Sequence, residues 1–354
     1  MKEINSGLKI VSVGGGTGLS TLLSGLKAFV RKEPLSTADN WIETLTAVVT
    51  VTDDGGSSGR LREEFQILPL GDIRSCIASL AEDEHLLTRL FQYRFESEGH
   101  LSGHSFGNLF LTALTGVTGD FLEAIKVSSE VLAIKGRIFP STIEDVALVA
   151  ELEDGRVIRG ETNIVESRSR IRNLRLSNEH CRPLPETLEA IKHADIITIG
   201  PGSLYTSIIP NLLVDGIVEA MRDSDALKVY ICNIMTQPGE TDNFNVTDHL
   251  RVLFEYSPNL LLDYIVINST PISAELKQKY LDDGAAQVEF DATLLAGFDG
   301  SVQSSRGALG GKVGGFQLIS SDLLQEEHLV RHDPDKLGRL VLEIHQMARL
   351  AVGG

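Results

Sequence analysis

Residues 9–18 read KIVSVGGGTG, an apolar segment that runs directly into a turn of four glycines and one threonine. The apolar residues predict a buried strand over residues 9–13, and a helical spacing of leucines follows at Leu19, Leu22, Leu23 and Leu26. A strand, a glycine-rich turn and a helix in this order are typical of the first βα unit of a parallel sheet, which binds ligands beyond the carboxyl ends of its strands. The stretch therefore predicts an α/β fold with an anion-binding turn near its start.

Short apolar runs alternate with helical patterns along the rest of the chain. Further strands are predicted over residues 45–52, 196–199, 229–233 and 264–267. Helices are predicted over residues 18–30, 72–81, 84–95, 108–114, 120–132 and 333–350, with others after Asp215, Thr247 and Ser273. The alternation predicts a single Rossmann-like α/β domain over residues 1–354, with a doubly wound, mostly parallel sheet, helices on both faces and a smaller irregular insertion. Residues 297–315, rich in Gly and Ser, are predicted to form a flexible insertion.

Composition restricts the class of partner and the compartment. The 354 residues carry a formal net charge of -17 and the pI is about 5.0, which argues against broad contact with nucleic acid or an anionic membrane. Three scattered cysteines, Cys76, Cys181 and Cys232, do not indicate a disulfide framework. No apolar segment reaches transmembrane length without interruption. We therefore expect a cytoplasmic protein without membrane insertion.

Two adjacent carboxylates follow the second predicted strand. Residues 48–61 read VVTVTDDGGSSGRL, so Asp53 and Asp54 stand beside a Gly/Ser stretch that contains Ser57 and Ser58. Carboxylates can hold Mg²⁺, and exposed backbone N–H groups of a flexible Gly/Ser turn can bind phosphate oxygens. The alternative is an ordinary surface turn, in which the same residue types are common.

Two more clusters extend this pattern. Asp72, in residues 68–74 LPLGDIR, is either the N-cap of the next helix or a third oxygen ligand facing Asp53 and Asp54. Residues 103–108, GHSFGN, place His104 and Asn108 in a glycine-bounded loop before an apolar helix. A lone histidine is more often a structural hydrogen-bonding group than a general base, so Asn108 is the candidate ligand contact here.

A second glycine turn follows the strand over residues 196–199. Gly200, Gly202 and Ser203 lie in the sequence GPGS, and two such turns from one sheet could hold opposite ends of one elongated ligand. The first turn does not match the dinucleotide fingerprint, because position 19 is Leu19 rather than glycine. A nucleotide or phosphorylated ligand is therefore favoured over a standard NAD enzyme, and no redox cofactor is expected.

Eight segments occur in order along nearly the whole chain: GGGTG, TDDGGSSGRLR, LPLGDIR, GHSFGNL, GPGSLYTSIIPNLL, CNIMTQPGET, the strand over residues 264–268 and Arg331-His332-Asp333. Together they resemble the bacterial gluconeogenesis factor family, or YvcK-like proteins. That family is similar to the 2-phospho-L-lactate transferases, which use a nucleotide donor and a metal. The resemblance implies a cytoplasmic regulator that binds UDP-N-acetylglucosamine and links gluconeogenic growth and cell-wall precursor synthesis to cell shape. A partner enzyme of amino-sugar or cell-wall precursor synthesis follows from that role.

The resemblance and the motifs together assign the candidate site residues. Ligand or phosphate contacts are expected at Gly14, Gly15, Gly16, Thr17, Gly18, Ser57, Ser58, Asn108, Gly200, Gly202, Ser203, Tyr264, Asn268 and Arg331. The resemblance gives Asp53, Asp54 and Asp72 as candidate ligands for Mg²⁺.

Two hypotheses stay open: a ligand sensor, or a metal-dependent transferase acting on a nucleotide-diphosphate-linked donor. The sensor is favoured because the sequence shows no nucleophile or base beside these residues. A homodimer is compatible with the architecture.

Overall fold

The computed structural model describes residues 7–31, 41–82, 86–96, 98–296 and 315–353. Its centre is a sheet of seven parallel strands in the spatial order β10-β9-β8-β7-β1-β2-β3. These strands are β1 Leu8–Gly14, β2 Ile42–Val49, β3 Arg137–Pro140, β7 Ile196–Ile199, β8 Leu227–Ile231, β9 Tyr264–Asn268 and β10 Gln317–Ser321. The predicted α/β class with a Rossmann-like parallel sheet is confirmed.

The central strands are apolar on both faces because helices cover both faces of the sheet. In β1 every residue except Lys9 is buried, and the last five residues of β2 are buried as well. The strand order reverses between β1 and β7, since the chain builds outward from β1 to β3 on one side and from β7 to β10 on the other. Such a reversal leaves a crevice at the carboxyl ends of the two central strands.

Helices surround this sheet. They are α1 Gly16–Lys27, α2 Gly56–Phe65, α3 Gly71–Leu80, α4 Leu86–Gln92, α5 Phe106–Thr118, α6 Phe121–Val131, α7 Glu161–Glu166, α8 Pro185–Lys192, α9 Ile209–Leu212, α10 Ile217–Asp223, α11 Val246–Tyr256, α12 Ala274–Asp282, α13 Ala292–Ala296 and α14 Pro334–Gly353. A π-helical turn, Leu204–Ile208, precedes α9. α1 packs against α3 and α14, whereas α10 packs against α8 and α9. The helix α1 is thus held between two neighbouring helices, α3 and α14.

Two smaller sheets lie outside the central one. β4 Leu148–Leu152 pairs antiparallel with both β5 Val157–Arg159 and β6 Ile171–Leu176. β11 Leu324–Glu326 and β12 Val330–His332 form an antiparallel hairpin just before α14. Neither sheet was predicted as such: the apolar run VALVA over residues 146–150 was not assigned to a strand, and residues 324–332 are mostly polar.

Most of the predicted strands and helices are present in the structure, and one predicted turn is wrong. The strand predicted over residues 196–199 matches Ile196–Ile199. The flexible Gly/Ser turn is instead the first turn of α2, which begins at Gly56. The predicted insertion lies outside the described residues except for Gly315, and the single-domain organisation stays a prediction. Within the described ranges, no single helix has the length and apolarity to cross a membrane, although the bent pair Leu204–Leu212 and Ile217–Asp223 passes that test together.

Candidate functional site

The first glycine turn joins β1 to α1 at the strand reversal. β1 ends at Gly14, and α1 begins at Gly16 without a side-chain cap from Gly15. A helix start without its own cap presents N–H groups and the positive end of the helix dipole. Asp72, from the first turn of α3, accepts a hydrogen bond from the N–H of Gly16. The interpretation of Asp72 as the N-cap of its own helix is therefore wrong, because that position belongs to Leu70.

The second glycine turn follows β7 and lies directly against the first. A Cβ atom on Gly18 would overlap the carbonyl oxygen of Pro201, so the two turns meet backbone to backbone. Asn233, just after β8, fixes the second turn: its Oδ1 accepts from Gly202 N–H at 3.1 Å, and its Nδ2 donates to Gly202 O at 2.8 Å. The order of the strands therefore brings three separate loops to one point.

A cavity of about 300 Å³, here called the nucleotide pocket, opens where these loops meet. The candidate residues that line it are Gly15, Gly16, Thr17, Gly18, Gly202, Ser203 and Arg331. Residues without an assigned role in the sequence also line it: Thr21, Pro201, Ser207, Asn233, Ile234, Met235, Gln237, Val330 and His332. Gly14 ends β1, and Gly200 follows β7. Both lie beside the pocket but do not line it.

The walls of the nucleotide pocket combine polar and apolar groups and carry little ionisable chemistry. Gln237 Nε2 donates to Ser203 Oγ at 2.7 Å, which holds the hydroxyl in place. His332 is 7% exposed and makes a backbone hydrogen bond with Cys232. Burial lowers the pKa of His332 to about 4, so its ring is neutral at pH 7. Arg331 is thus the cation among the described residues that line this pocket.

Buried carboxylates gather beside the start of α1. The pKa of Asp72 is raised to about 7 by burial and by the charge of Asp53. Glu161, at the start of α7, has its pKa raised well above the usual range by burial and by the charges of Asp53, Asp72 and Glu240. Burial also raises the pKa of Glu240 to about 7. We call Asp53, Asp72, Glu161 and Glu240 the carboxylate cluster.

The donor chemistry of the carboxylate cluster suits a hard cation, since Mg²⁺ prefers carboxylate oxygens. Asp54 is engaged elsewhere, because its Oδ1 accepts from both the N–H and the Oγ1 of Thr162 at 2.8 Å. Within the described ranges, no three His, Cys, Asp or Glu side chains are grouped closely enough to hold a metal ion. The structure thus offers the ligand chemistry without a preformed set of three ligands, and Mg²⁺ stays a prediction.

Ser57, Ser58 and Asn108 form a separate buried network between α2 and α5. Asn108 Nδ2 donates to Ser57 Oγ at 3.1 Å, and Ser57 Oγ lies 3.0 Å from His104 Nδ1. Both serines are less than 5% exposed, and Asn108 is 3% exposed. These side chains join two helices and do not line the nucleotide pocket. Their predicted contact with a ligand stays a prediction.

Two further candidates lie apart from the nucleotide pocket. Tyr264 begins β9 and is therefore at the amino end of its strand, whereas the pocket lies at the carboxyl ends. Asn268 ends β9, but its side chain donates to Thr270 O at 2.7 Å and accepts from Leu323 N–H at 3.1 Å. The structure does not bring either residue to the two glycine turns.

Comparison with known proteins agrees with this architecture. The family model for 2-phospho-L-lactate transferase CofD matches residues 10–302. The gluconeogenesis factor of Bacillus subtilis is 44% identical over 337 residues, which cover 95% of this chain and 98% of that protein. The gluconeogenesis factor of Halalkalibacterium halodurans is 44% identical over 335 residues, covering 94% and 95%. The chain belongs to the gluconeogenesis factor family.

A solved structure extends the family likeness to the fold. A crystal structure of a Bacillus halodurans protein superposes with a TM-score of 0.85 at 42% identity, and the match covers 95% of this chain and all of that one. The relatives are named as factors, whereas the matching family model is named for a transferase. Membership in the gluconeogenesis factor family therefore fixes the relatives and the fold but leaves the ligand to be argued from the site.

Asn233 and Gln237 were missed although the family motif CNIMTQPGET contains both. Their signal was the position of Asn233 at the end of the strand predicted over residues 229–233, next to the strand reversal. Glu240 lies in the same motif, whereas Glu161 had no comparable signal. The two are 79 positions apart in sequence, and tertiary packing brings them to one cluster.

Proposed function

We propose that this protein is a cytoplasmic regulatory protein that binds a UDP-sugar, UDP-N-acetylglucosamine in the first place, in the nucleotide pocket. Ligand binding is proposed to change its affinity for an enzyme of amino-sugar or cell-wall precursor synthesis, and so to link gluconeogenic growth to cell shape. The observation that carries the proposal is the meeting of two glycine turns, the start of α1 and Arg331 in one cavity.

Each part of this pocket suits one part of a nucleotide diphosphate. The N–H groups at the start of α1 favour phosphate oxygens, because helix starts bind anions. The guanidinium of Arg331 can pair with a phosphate through two parallel hydrogen bonds. Hydroxyls such as Thr17 and Ser203 add further polar contacts.

Binding without turnover is favoured by the chemistry of the walls. Among the described residues that line the nucleotide pocket, His332 is the side chain that could act as a base at neutral pH. Its pKa is lowered to about 4, which makes it a weak base. A sensor needs differential contacts in two states rather than a strong base or nucleophile.

A metal-dependent transferase is the second candidate, and the carboxylate cluster is the observation that favours it. Burial raises the pKa values of Asp72, Glu161 and Glu240 and so favours their protonated forms, whereas a bound cation would favour their charged forms. A divalent cation bound there would supply charge neutralisation to a departing phosphate. Asp53 and Asp72 are the residues that would hold it, since Asp72 lies beside the first glycine turn and the charge of Asp53 acts on Asp72.

The test is calorimetric titration with UDP-N-acetylglucosamine, with and without Mg²⁺, followed by chromatography of the ligand after long incubation. Saturable binding with the ligand recovered intact supports the sensor. Arg331→Gln should then weaken binding about 10-fold, because it removes a charge-assisted contact to phosphate.

Cleavage of the ligand would identify an enzyme instead. It should then require Mg²⁺ and be abolished by Asp72→Asn, while Asp54→Asn tests whether the carboxylate held by Thr162 also takes part. Absence of any saturable binding, with the folded state verified by circular dichroism, would reject both candidates for this ligand class.

A further inference from the structure

A second, larger cavity continues from the nucleotide pocket along the outer side of α1. It has a volume of about 950 Å³ and lies between α1, α3, α4 and the β11–β12 hairpin. Thr17, Thr21 and Arg331 line both cavities, so the two are adjacent. We call the larger cavity the α1–α3 groove. It extends from the first glycine turn to Lys27, whose Nζ donates to Ala81 O at the far end.

Hydroxyl groups cover the floor of the α1–α3 groove. They come from one side of α1 and the facing side of α3, and they are Thr17, Ser20, Thr21, Ser24, Ser75 and Ser79. Several of them already satisfy a backbone carbonyl of their own helix, as Ser20 does with Gly16 O at 3.0 Å and Ser75 with Gly71 O at 2.9 Å. Each such hydroxyl keeps acceptor capacity for a ligand O–H or N–H. A floor of this kind suits a polyhydroxylated ligand.

Positive charge lines the walls of the groove. Arg74 comes from α3, Arg89 from α4, and Arg331 from β12, where it pairs across the hairpin with Gln325. None of the ion pairs among the described residues involves these three arginines.

The acid that lines the groove does not compensate this charge locally. The carboxylate of Glu82 lies 3.3 Å from Lys135 Nζ, so it already has a cationic partner. The charges of Asp72 and Asp53 act on Arg74 and partly offset it. In a chain of net charge -17, Arg89 and Arg331 still make this cavity a localised positive site. Guanidinium groups lining a cavity favour an anionic group with two oxygens.

We propose that the α1–α3 groove binds the sugar end of the nucleotide-linked ligand and selects for an anionic substituent on that sugar. This inference rests on the proposed function, because it assumes that the diphosphate lies at the start of α1. The phosphates then occupy the shared end near Thr17, and the sugar extends over the hydroxyl floor. Its anionic substituent reaches the guanidinium of Arg89 on the opposite wall.

Size supports the same assignment. The nucleotide pocket alone, at about 300 Å³, is at the lower limit of small-molecule sites, whereas ligand pockets commonly reach about 1,000 Å³. A ligand confined to the smaller cavity would leave the larger one without a role in recognition. A nucleotide sugar with a charged substituent uses both.

The probe is UDP-N-acetylmuramic acid, which has the nucleotide and amino sugar of UDP-N-acetylglucosamine plus a lactate ether that carries a carboxylate. Calorimetric titration compares the two ligands on the wild-type protein and on Arg89→Gln. We expect the wild type to bind the carboxylate-bearing ligand about 10-fold more tightly, because a charge-assisted hydrogen bond is added. Arg89→Gln should reduce that preference to about twofold, measured as the ratio of the two affinities on the same variant.

Arg137→Gln is the matched control, because Arg137 is an exposed arginine on β3 at the edge of the sheet and does not line the groove. Arg137→Gln should keep the full preference for the carboxylate-bearing ligand over UDP-N-acetylglucosamine. A third titration uses UDP-N-acetylglucosamine with added inorganic phosphate, which supplies a free anion to the same groove. Enhancement by free phosphate, with no preference for the attached carboxylate, would overturn selection through the sugar.

The failures of the two proposals are distinguishable. If neither nucleotide sugar binds, the proposed function fails and this inference fails with it. If UDP-N-acetylglucosamine binds and the wild type shows no preference, or the preference survives Arg89→Gln, the inference fails while the proposed function stands.

Discussion

Two neighbouring regions meet at Gly15 and Gly16 but are built in different ways. The nucleotide pocket is organised around backbone: glycine turns after β1 and β7, the start of α1, and the Gly202 backbone fixed by Asn233. The carboxylate cluster is entirely side chain, contributed by the segment after β2, α3, α7 and the segment after β8. The first region has local sequence motifs, whereas the second has carboxylates brought together by the fold.

This difference has physical consequences. A pocket built from backbone depends on close approach, so an added Cβ atom damages it more than a change of charge does. A cluster built from buried carboxylates depends on protonation and on cations, so it should make stability depend on pH. The predictions below separate these two kinds of dependence, beginning with the largest effect.

Gly18→Ala should have the largest effect, because its Cβ would overlap the carbonyl of Pro201 and push the two glycine turns apart. We expect UDP-N-acetylglucosamine binding to weaken about 100-fold, as displacements near 1 Å typically do in organised sites. The free energy of unfolding should fall by about 1–3 kcal/mol, the usual cost of overpacking. Calorimetry and urea unfolding measure the two quantities.

Gly25→Ala is the control on the same helix. Its Cβ would overlap the backbone of Pro334 at the contact between α1 and α14, away from the nucleotide pocket. It should lose a similar free energy of unfolding and keep its ligand affinity. Equal loss of affinity in both variants would mean that general loosening of α1, rather than the turn contact, governs binding.

Asn233→Ala should weaken binding about 10-fold, because it removes both hydrogen bonds that fix the Gly202 peptide. Asn268→Ala is a matched comparison, since Asn268 also ends a strand and bonds a following loop but does not line the pocket. Titration of both variants with UDP-N-acetylglucosamine measures the contrast. A loss as large for Asn268→Ala would place the predicted contact at Asn268 in the ligand site after all.

Glu240→Gln should change the pH dependence of stability. The pKa of Glu240 is raised from the usual 4.5 to about 7 in the folded protein, so the folded state binds more protons than the unfolded state between these values. Stability from this group is therefore full below pH 4.5 and is lost as pH rises through 7. Glutamine should remove that loss and raise the free energy of unfolding at pH 8 by about 1 kcal/mol.

Urea unfolding at pH 5 and pH 8 measures this change for the wild type and the variant. Glu219→Gln, on an exposed position of α10, is the control and should leave the pH profile unaltered. If Glu240→Gln shows the wild-type fall between pH 5 and 8, Glu240 is not a source of the pH dependence.

The sequence sufficed for features that depend on local pattern. The apolar run over residues 196–199 and the glycines around Thr17 are contiguous, so their strand, turn and helix could be predicted from spacing alone. α2 was missed because a Gly/Ser stretch normally indicates a turn. The structure explains Gly59 in this helix by close approach: a Cβ there would overlap the carbonyl of Asp54.

The carboxylate cluster shows what local pattern could not supply. Asp53 and Asp72 belong to motifs that made them candidates, whereas Glu161 lies in a polar segment without such a signal. Its approach depends on how α7, which follows β5 of the small sheet, packs against Asp54, and this is a property of tertiary packing. Tertiary packing also explains why Tyr264 lies apart from the nucleotide pocket, although the sequence analysis assigned Tyr264 and the glycine turns to one site.

Tyr264→Phe should have the smallest effect. Tyr264 is 6% exposed at the amino end of β9, and burial raises the pKa of its hydroxyl. A ligand held at the carboxyl ends of β1 and β7 should not contact it, so affinity for UDP-N-acetylglucosamine should stay within about twofold of wild type. Titration of Tyr264→Phe and Tyr264→Ala separates the hydroxyl from the ring. A 10-fold loss in the phenylalanine variant, with unfolding unchanged, would show that the ligand reaches the opposite edge of the sheet and that the nucleotide pocket is only part of its site.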